Sequence, residues 1–442
     1  MPFLHGFRRI VYEYQPLVDE VMCLVGLEGE SEDEQPAGED EVCRSLQDLL
    51  DRECQSAVFV KGISCALFKV AERGNLTAAK VLLRNGAEVD FEDPVSYYNA
   101  LHIAVLRNRP NMIRLLVEHG ADIDKRDRIH ESSPLDLASE EAERLPCLRT
   151  LLDLGADVNA KDRNGKTALL HALASSDGLI VNNTDNIQLL LERGADIFAS
   201  THDGETAMSL LVFLVKEALD GSPEDAAEIG QFCVRAAQLL LTHGADPSCC
   251  LAAGAEVEEE EEEEGEPSLT QTCLEHFDLL FPLACLVLQR GASFFCTRHG
   301  VSCWTGHRLI FGRLASVLKE NLDATGVADL LAKAEVLLDL ALVCCPVLPS
   351  LSSNIELPLV GQDPHAQVLQ DLHSRLKDQE AQPLPLRCLC RAFIRHCLQP
   401  WPLEDKVRAL PLPDRLKEYL LPEQKLLSRP GWDCCKPNRT LR

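Results

Sequence analysis

Leucine-rich runs recur through the middle of this 442-residue chain, and each is closed by the same polar punctuation. The runs VLLRNGAEVD, LLVEHGADID, LLDLGADVNA, LLLERGADIF, LLLTHGADPS and VLQRGASFF place Gly86, Gly120, Gly155, Gly194, Gly244 and Gly291 directly after an apolar stripe. Successive glycines are 34, 35, 39, 50 and 47 residues apart. Apolar residues three and four positions apart share one helix face, so each run predicts a helix with one buried side. A glycine just past the end supplies the left-handed conformation that closes a helix without a Cβ penalty. A second apolar element precedes several of these glycines: NALHIAVLRN (Asn99 to Asn108), SPLDLASEE (Ser133 to Glu141) and TALLHALASS (Thr167 to Ser176).

A basic period near 33 residues, opening on a Thr-Pro-Leu-His-like element and closing on Gly-Ala-Asp, resembles the ankyrin repeat. The residues suit that unit. Thr167 is placed to cap a first helix through its hydroxyl. Pro134 falls in a first turn, where its missing N–H costs nothing. Leu101, Leu135 and Leu169 point inward, and Ala104, Ala138 and Ala172 allow close helix approach. Leu115-Leu116, Leu151-Leu152 and Leu189-Leu190 supply the buried face of the second helix. The aspartate-bearing stretches Asp124 to Asp127 and Asp157 to Asp162 read as protruding turns. One such unit cannot bury its own apolar face, so the expectation is an all-α solenoid of six to seven stacked repeats. The degenerate seventh runs from His299-Gly300-Val301-Ser302, with Cys303 opening its first helix, to a helix at Leu330 to Cys344. The wider late spacings are read as insertions. One holds Ser222-Pro223-Glu224-Asp225. The other holds the seven glutamates Glu258 to Glu264, either a self-repelling spacer or a partner-binding acidic segment. Residues 1–60 do not follow the repeat. Helical spacing over Phe3 to Leu27 and Glu41 to Val58, around an acidic loop, predicts a cap on the first repeat.

Near the C-terminus the pattern changes. Pro385 and Leu386 are followed at four-residue intervals by Cys390 and Ile394, on one helix face, with Leu389, Phe393 and Cys397 as a second stripe beside it. Such a short helix is not stable alone, so one stripe is expected to pack within the protein and the other to face another chain. Leu410-Pro411-Leu412-Pro413 follows and leads into a helix at Asp414 to Leu421. The paired motifs, in this order and at this distance, resemble the SOCS box, a three-helix module. That resemblance implies docking of Elongin C, with Elongin B, through Pro385, Leu386, Cys390 and Ile394. It implies selection of cullin-5 and its RING subunit through Leu410, Pro411, Leu412 and Pro413. An ankyrin array followed by a SOCS box is the layout of the ankyrin-repeat and SOCS-box family. The implied function is a non-catalytic substrate receptor of a multisubunit ubiquitin ligase. A plain ankyrin scaffold that binds a signalling partner without promoting its ubiquitination stays open beside it. The expected organisation is a helical cap at 1–60 and an ankyrin array at 61–345, with an acidic insertion at about 251–267. A connector at 346–383, a SOCS box at 384–422 and a disordered tail at 423–442 complete it.

Composition narrows the partners. With 70 acidic against 43 basic residues the formal charge is −27, which argues against a general nucleic-acid or anionic-membrane surface. The 19 cysteines are scattered or in doublets, with no disulfide framework. The opening MPFLHGFRRIVYEYQP has no apolar run of signal-peptide length. Reduced thiols filling a core in a cytoplasmic protein are therefore expected. Val336 to Leu351 is the longest apolar stretch, and Asp339 and Pro346 interrupt it.

Candidate chemistry is sparse. Cys296, His299, Cys303 and His307 have zinc-ligand types at local spacing, but they also fit the turn and first helix of a repeat, and no metal or other cofactor is expected. His102 occupies the histidine of the Thr-Pro-Leu-His-like element, where a ring bonded to turn backbone is expected; His171 lies one position later. No nucleophile elbow, phosphate-binding glycine loop or zinc-protease motif is present. One strip stands out in an acidic chain: Lys125, Arg126 and Arg128 in one turn, and Lys161, Arg163 and Lys166 in the next, with Tyr97 and Tyr98 on the turn before. The strip is either a solvated mixed-charge face or a site for an acidic or phosphorylated partner segment.

Overall fold

The structure, a computed structural model, describes residues 3–26, 39–248, 267–296, 300–320, 324–345, 366–381, 386–398 and 403–421. The glutamate run, most of the acidic N-terminal loop, Pro385, His299 and the tail lie outside them. Two compact units divide the chain: Met1–Ser176 with Ile180–Ala199, and Asp177–Leu179 with Ser200–Arg442.

The first unit is built from α1 (Phe3–Leu24), α2 (Glu39–Glu53), α3 (Phe59–Arg73), α4 (Leu76–Arg84), α5 (Ala100–Leu106), α6 (Pro110–Glu118), α7 (Pro134–Ser139), α8 (Leu145–Asp153), α9 (Ala168–Ala174) and α10 (Thr184–Glu192). From α3 onward the helices pair antiparallel. First helices pack on first helices (α3, α5, α7, α9) and second on second (α4, α6, α8, α10), giving two layers. Ahead of them, α1 lies on α3 and α2 on α4, with Tyr14 and Val18 buried against Cys65.

The second unit continues with α11 (Ala207–Asp220), α12 (Pro223–Thr242), α13 (Leu269–Glu275) and α14 (Phe281–Gln289). A hairpin, β1 (Phe295–Cys296) and β2 (Gly300–Thr305), leads to α15 (Gly306–Val317) and α16 (Ala324–Cys344), then α17 (Ala366–Ala381), α18 (Leu386–Cys397), α19 (Leu403–Ala409) and α20 (Asp414–Leu420). The pair α15–α16 is the seventh repeat. It departs from the sequence expectation in one respect: Cys303 lies on β2, and the first helix opens later, at Gly306, with the Thr305 hydroxyl accepting the Arg308 amide. The insertion expected between Gly194 and Gly244 is helical. The extra residues lengthen α11 and α12, and Ser222 caps α12 by accepting the Asp225 amide.

The Gly-Ala pair explains why each repeat ends where it does. Gly86, Gly120, Gly155, Gly194, Gly244 and Gly291 all have φ between +77° and +102°. In each, the glycine N–H bonds back to one carbonyl and the alanine N–H to the carbonyl before it, as in Gly120→Val117 (3.0 Å) and Ala121→Leu116 (3.0 Å). This double closure satisfies carbonyls that a helix end otherwise leaves orphaned. The following polar residues then tie neighbouring repeats. Asp124 Oδ1 accepts the Asp157 amide at 3.1 Å, and Asn159 Oδ1 accepts the Asp196 amide at 2.8 Å.

The first helices α5, α7 and α11 start on reciprocal caps. Asn99 pairs with His102, and Ser133 with Asp136. Thr167 breaks the pattern: its buried hydroxyl caps nothing. The position three residues on is Leu170, which offers no reciprocal side chain, and the histidine is displaced by one.

Candidate functional site

Apolar residues on a helix ordinarily face the core. On α18 they face outward. At 100° per residue, Leu389, Phe393, Leu386, Cys397 and Cys390 fall within one arc of about 100°. Apart from Ile394, the two stripes separated in the sequence reading are thus one exposed surface, and neither stripe as a whole packs within the protein, contrary to expectation. Leu386 is 75 % exposed, Phe393 68 % and Leu389 51 %; Cys390 and Cys397 are exposed as well. On the opposite side two arginines are buried. The Arg391 guanidinium sits 5.2 Å from the centre of the Tyr419 ring, a cation–π arrangement. Arg395 donates from Nη1 to the Leu420 carbonyl at 2.8 Å. Sequence reasoning missed both arginines; their four-residue spacing opposite the apolar arc was the available signal.

Ile394 sits at the edge of the arc and turns toward the module's own core of Leu403, Val407, Leu420 and Leu421. Leu398, Leu410 and Leu412 pack on the same core. The Leu-Pro-Leu-Pro segment is therefore two-sided. Its leucines anchor the segment, while Pro411 and Pro413 are exposed. The Leu412 amide bonds to the Leu410 carbonyl at 2.8 Å, and Pro413, fixed at φ −57°, leads the chain into α20.

The turn residues of the first unit hold the cationic strip. Asp127 and Asp162 organise successive turns by accepting backbone amides, Asp127 from Ile129, His130 and Ser132, and Asp162 from Asn164 and Lys166. Much of the strip is already neutralised. Glu92 pairs with Arg128 at 2.5 Å and Lys125 at 3.4 Å. Arg126 bonds to the Glu131 carbonyl and lies 3.5 Å from Asp136. Arg163 is exposed and Lys166 half-exposed on the next turn. Tyr98 stacks on His102 with ring centres 5.3 Å apart, and Tyr97 takes a left-handed φ of +59°. Exposed Val95 and Ile129 on these turns were not picked out from the sequence.

The two repeat histidines differ. His102 is buried; Nε2 donates to the Ser132 carbonyl at 3.3 Å, and burial pushes its pKa down to about 4. His171 lies 3.0 Å from Asp162 and 3.3 Å from Glu140. Burial lowers its pKa, but Glu140, Asp136 and Asp162 outweigh that and raise it. Of the zinc-like set, Cys296 is buried on β1, Cys303 is exposed on β2, and His307 packs edge-on against Phe294. No group of three or more His, Cys, Asp and Glu side chains that could hold a metal ion is found among the described residues. Burial pushes the thiols of Cys147 and Cys233 up to about 12, so they are protonated core groups at neutral pH. No helix among the described residues is long and apolar enough to cross a membrane.

Comparison with known proteins agrees with both halves of this geometry. Residues 41–127 and 67–162 match the family described as ankyrin repeats (3 copies), and residues 382–421 match the SOCS box. The chain is 53% identical over 425 residues to ankyrin repeat and SOCS box protein 6 of Mus musculus, covering 95% of this chain and 98% of that protein. The Homo sapiens protein of the same name is 52% identical over 429 residues, covering 96% and 98%. A local match of 26% identity over 129 residues, 29% of this chain and 8% of the other, links it to E3 ubiquitin-protein ligase KEG of Arabidopsis thaliana. Helix pairs closed by Gly-Ala, an inside-out helix near the C-terminus and near full-length identity converge: the chain belongs to the ankyrin repeat and SOCS box protein family.

Proposed function

We propose that the chain is a non-catalytic adaptor of the ubiquitin-ligase type, working in the cytoplasm. The ankyrin repeats hold a target protein. The SOCS box holds Elongin C with Elongin B, and cullin-5 with its RING subunit. Rate enhancement comes from proximity: a charged E2 and a target lysine held in one assembly react at a raised effective concentration. The observation that carries this reading is the outward apolar arc of α18, opposite two buried arginines. Such a surface is covered when a partner supplies an apolar groove. Leu386 and Cys390 are central to it, with Leu389 and Phe393 beside them; Ile394 acts at its edge. Pro411 and Pro413 are the cullin-facing residues, held outward by the anchored Leu410 and Leu412.

Target capture is assigned to the turns carrying Arg163 and Lys166, with Tyr97, Tyr98, Lys125, Arg126, Arg128 and Lys161 around them. An acidic or phosphorylated segment suits that set.

The deciding experiment is co-purification of Elongin B/C and cullin-5 with the wild type and with Leu386→Ala/Cys390→Ala. The double variant is expected to lose both partners. Equal recovery by the two proteins rules the reading out.

A further inference from the structure

The inward arginines of α18 face different neighbours. Arg391 stays within the module, over Tyr419. Arg395 reaches beyond it. Besides the Leu420 carbonyl, it donates from Nη2 to the Gln289 carbonyl at 3.2 Å. Gln289 is the last residue of α14, the second helix of the sixth repeat, and Leu420 is the last residue of α20. Carbonyls at these positions have no acceptor role inside their own helix and carry the negative end of its dipole. One guanidinium therefore closes two helix C-termini at once, one from the repeats and one from the C-terminal module. It does so from a buried position, 5 % exposed, where charge-assisted hydrogen bonds are strong. The contact is reinforced by packing of α18 on α16 of the seventh repeat. The apolar arc lies on the far side of the helix from this staple, so both are available together.

Resting on the adaptor reading above, we infer that Arg395 is a positioning residue that locks the SOCS box onto the sixth repeat. The docked ligase subunits are then presented at a set angle to the last repeats, and only some lysines are brought within reach of the E2. Transfer itself moves the ubiquitin carboxyl carbon from the E2 cysteine thioester to a lysine amine. The C–S bond breaks, the isopeptide C–N bond forms, and the amine proton leaves with the E2 thiol. Arg395 takes no part in that chemistry.

The test uses the full chain and Arg395→Lys, which keeps the charge but replaces a planar fork with a single ammonium. Hydrogen exchange is expected to quicken about tenfold at both helix ends, in peptides spanning 284–292 and 414–421, with 99–174 unchanged. Quickening at 414–421 alone, or at neither end, overturns the coupling. In a second arm the protein is reconstituted with Elongin B/C, cullin-5, its RING subunit, E1, E2 and ubiquitin, and its own modified lysines are mapped. The variant should still bind Elongin B/C but spread ubiquitin over more lysines than the wild type. The same lysines at the same rates, or complete loss of Elongin B/C by the variant, overturns the positioning role. If the wild type itself fails to bind Elongin B/C, the adaptor reading falls, and the exchange experiment alone decides the coupling.

Discussion

A one-residue difference in a repeated motif reverses the electrostatics of a buried histidine. His102 completes a reciprocal cap with Asn99 and is held neutral, about 4 against an ordinary 6.5. As pH falls from about 6.5 toward about 4 the unfolded chain binds a proton that the folded chain refuses, so His102 lowers stability on the acid side. His171, one position later, falls between Asp162 and Glu140, and its folded pKa is raised. Its contribution is fully present below the ordinary value of 6.5 and is lost as pH rises through the raised one. Asp136, pushed up by burial, acts in the same direction as His171. The expected outcome is that His171→Gln flattens the decline in melting temperature above pH 6.5 and leaves the acid limb unchanged. An unaltered alkaline limb would assign that decline elsewhere. At this scale the sequence was partly legible. The Gly-Ala ends and the role of His102 follow from spacing and backbone geometry. The partners of His171 do not, because Glu140 and Asp162 are brought to it from two different repeats.

At the scale of elements, helix identity was readable and helix orientation was not. Periodicity located α18, but two stripes at four-residue spacing do not say which side is in. That was settled by the two arginines. Arg391 finds the Tyr419 ring and Arg395 finds the Gln289 and Leu420 carbonyls, none of which is near in sequence. The same limit applies to α11 and α12, where the extra length was read only as an insertion, and spacing alone does not say that it extends the two helices. The inside-out orientation separates folding from binding. Phe393→Ser should change the melting free energy of the isolated chain by no more than about 0.5 kcal/mol, as for other surface sites. It should weaken Elongin B/C binding about tenfold or more, from the apolar burial a phenylalanine supplies. Titration calorimetry and a thermal melt on the same sample check both.

At the scale of the whole molecule, two kinds of surface share one chain. The repeats present exposed side chains on turns tied by the Asp124–Asp157 and Asn159–Asp196 bonds, where target capture is proposed. The SOCS box presents an exposed apolar arc on one helix and exposed prolines after it, where ligase subunits are proposed to dock. Pro411→Ala/Pro413→Ala is expected to keep Elongin B/C and lose cullin-5, since the leucines that anchor the segment are untouched. Retention of both in a three-component pull-down would move the cullin contact elsewhere. The layout of repeats and box was legible because both rest on short local patterns. The target was not, because turn side chains answer to a partner rather than to the fold. The apolar arc of α18 has a last consequence, for abundance. A chain that leaves such a face bare is complete only when occupied, so its folded population rises with the concentration of whatever covers that face. On the adaptor reading, supply of the partner is then expected to set a ceiling on how much of this protein a cell keeps, with surplus copies showing the uncovered helix.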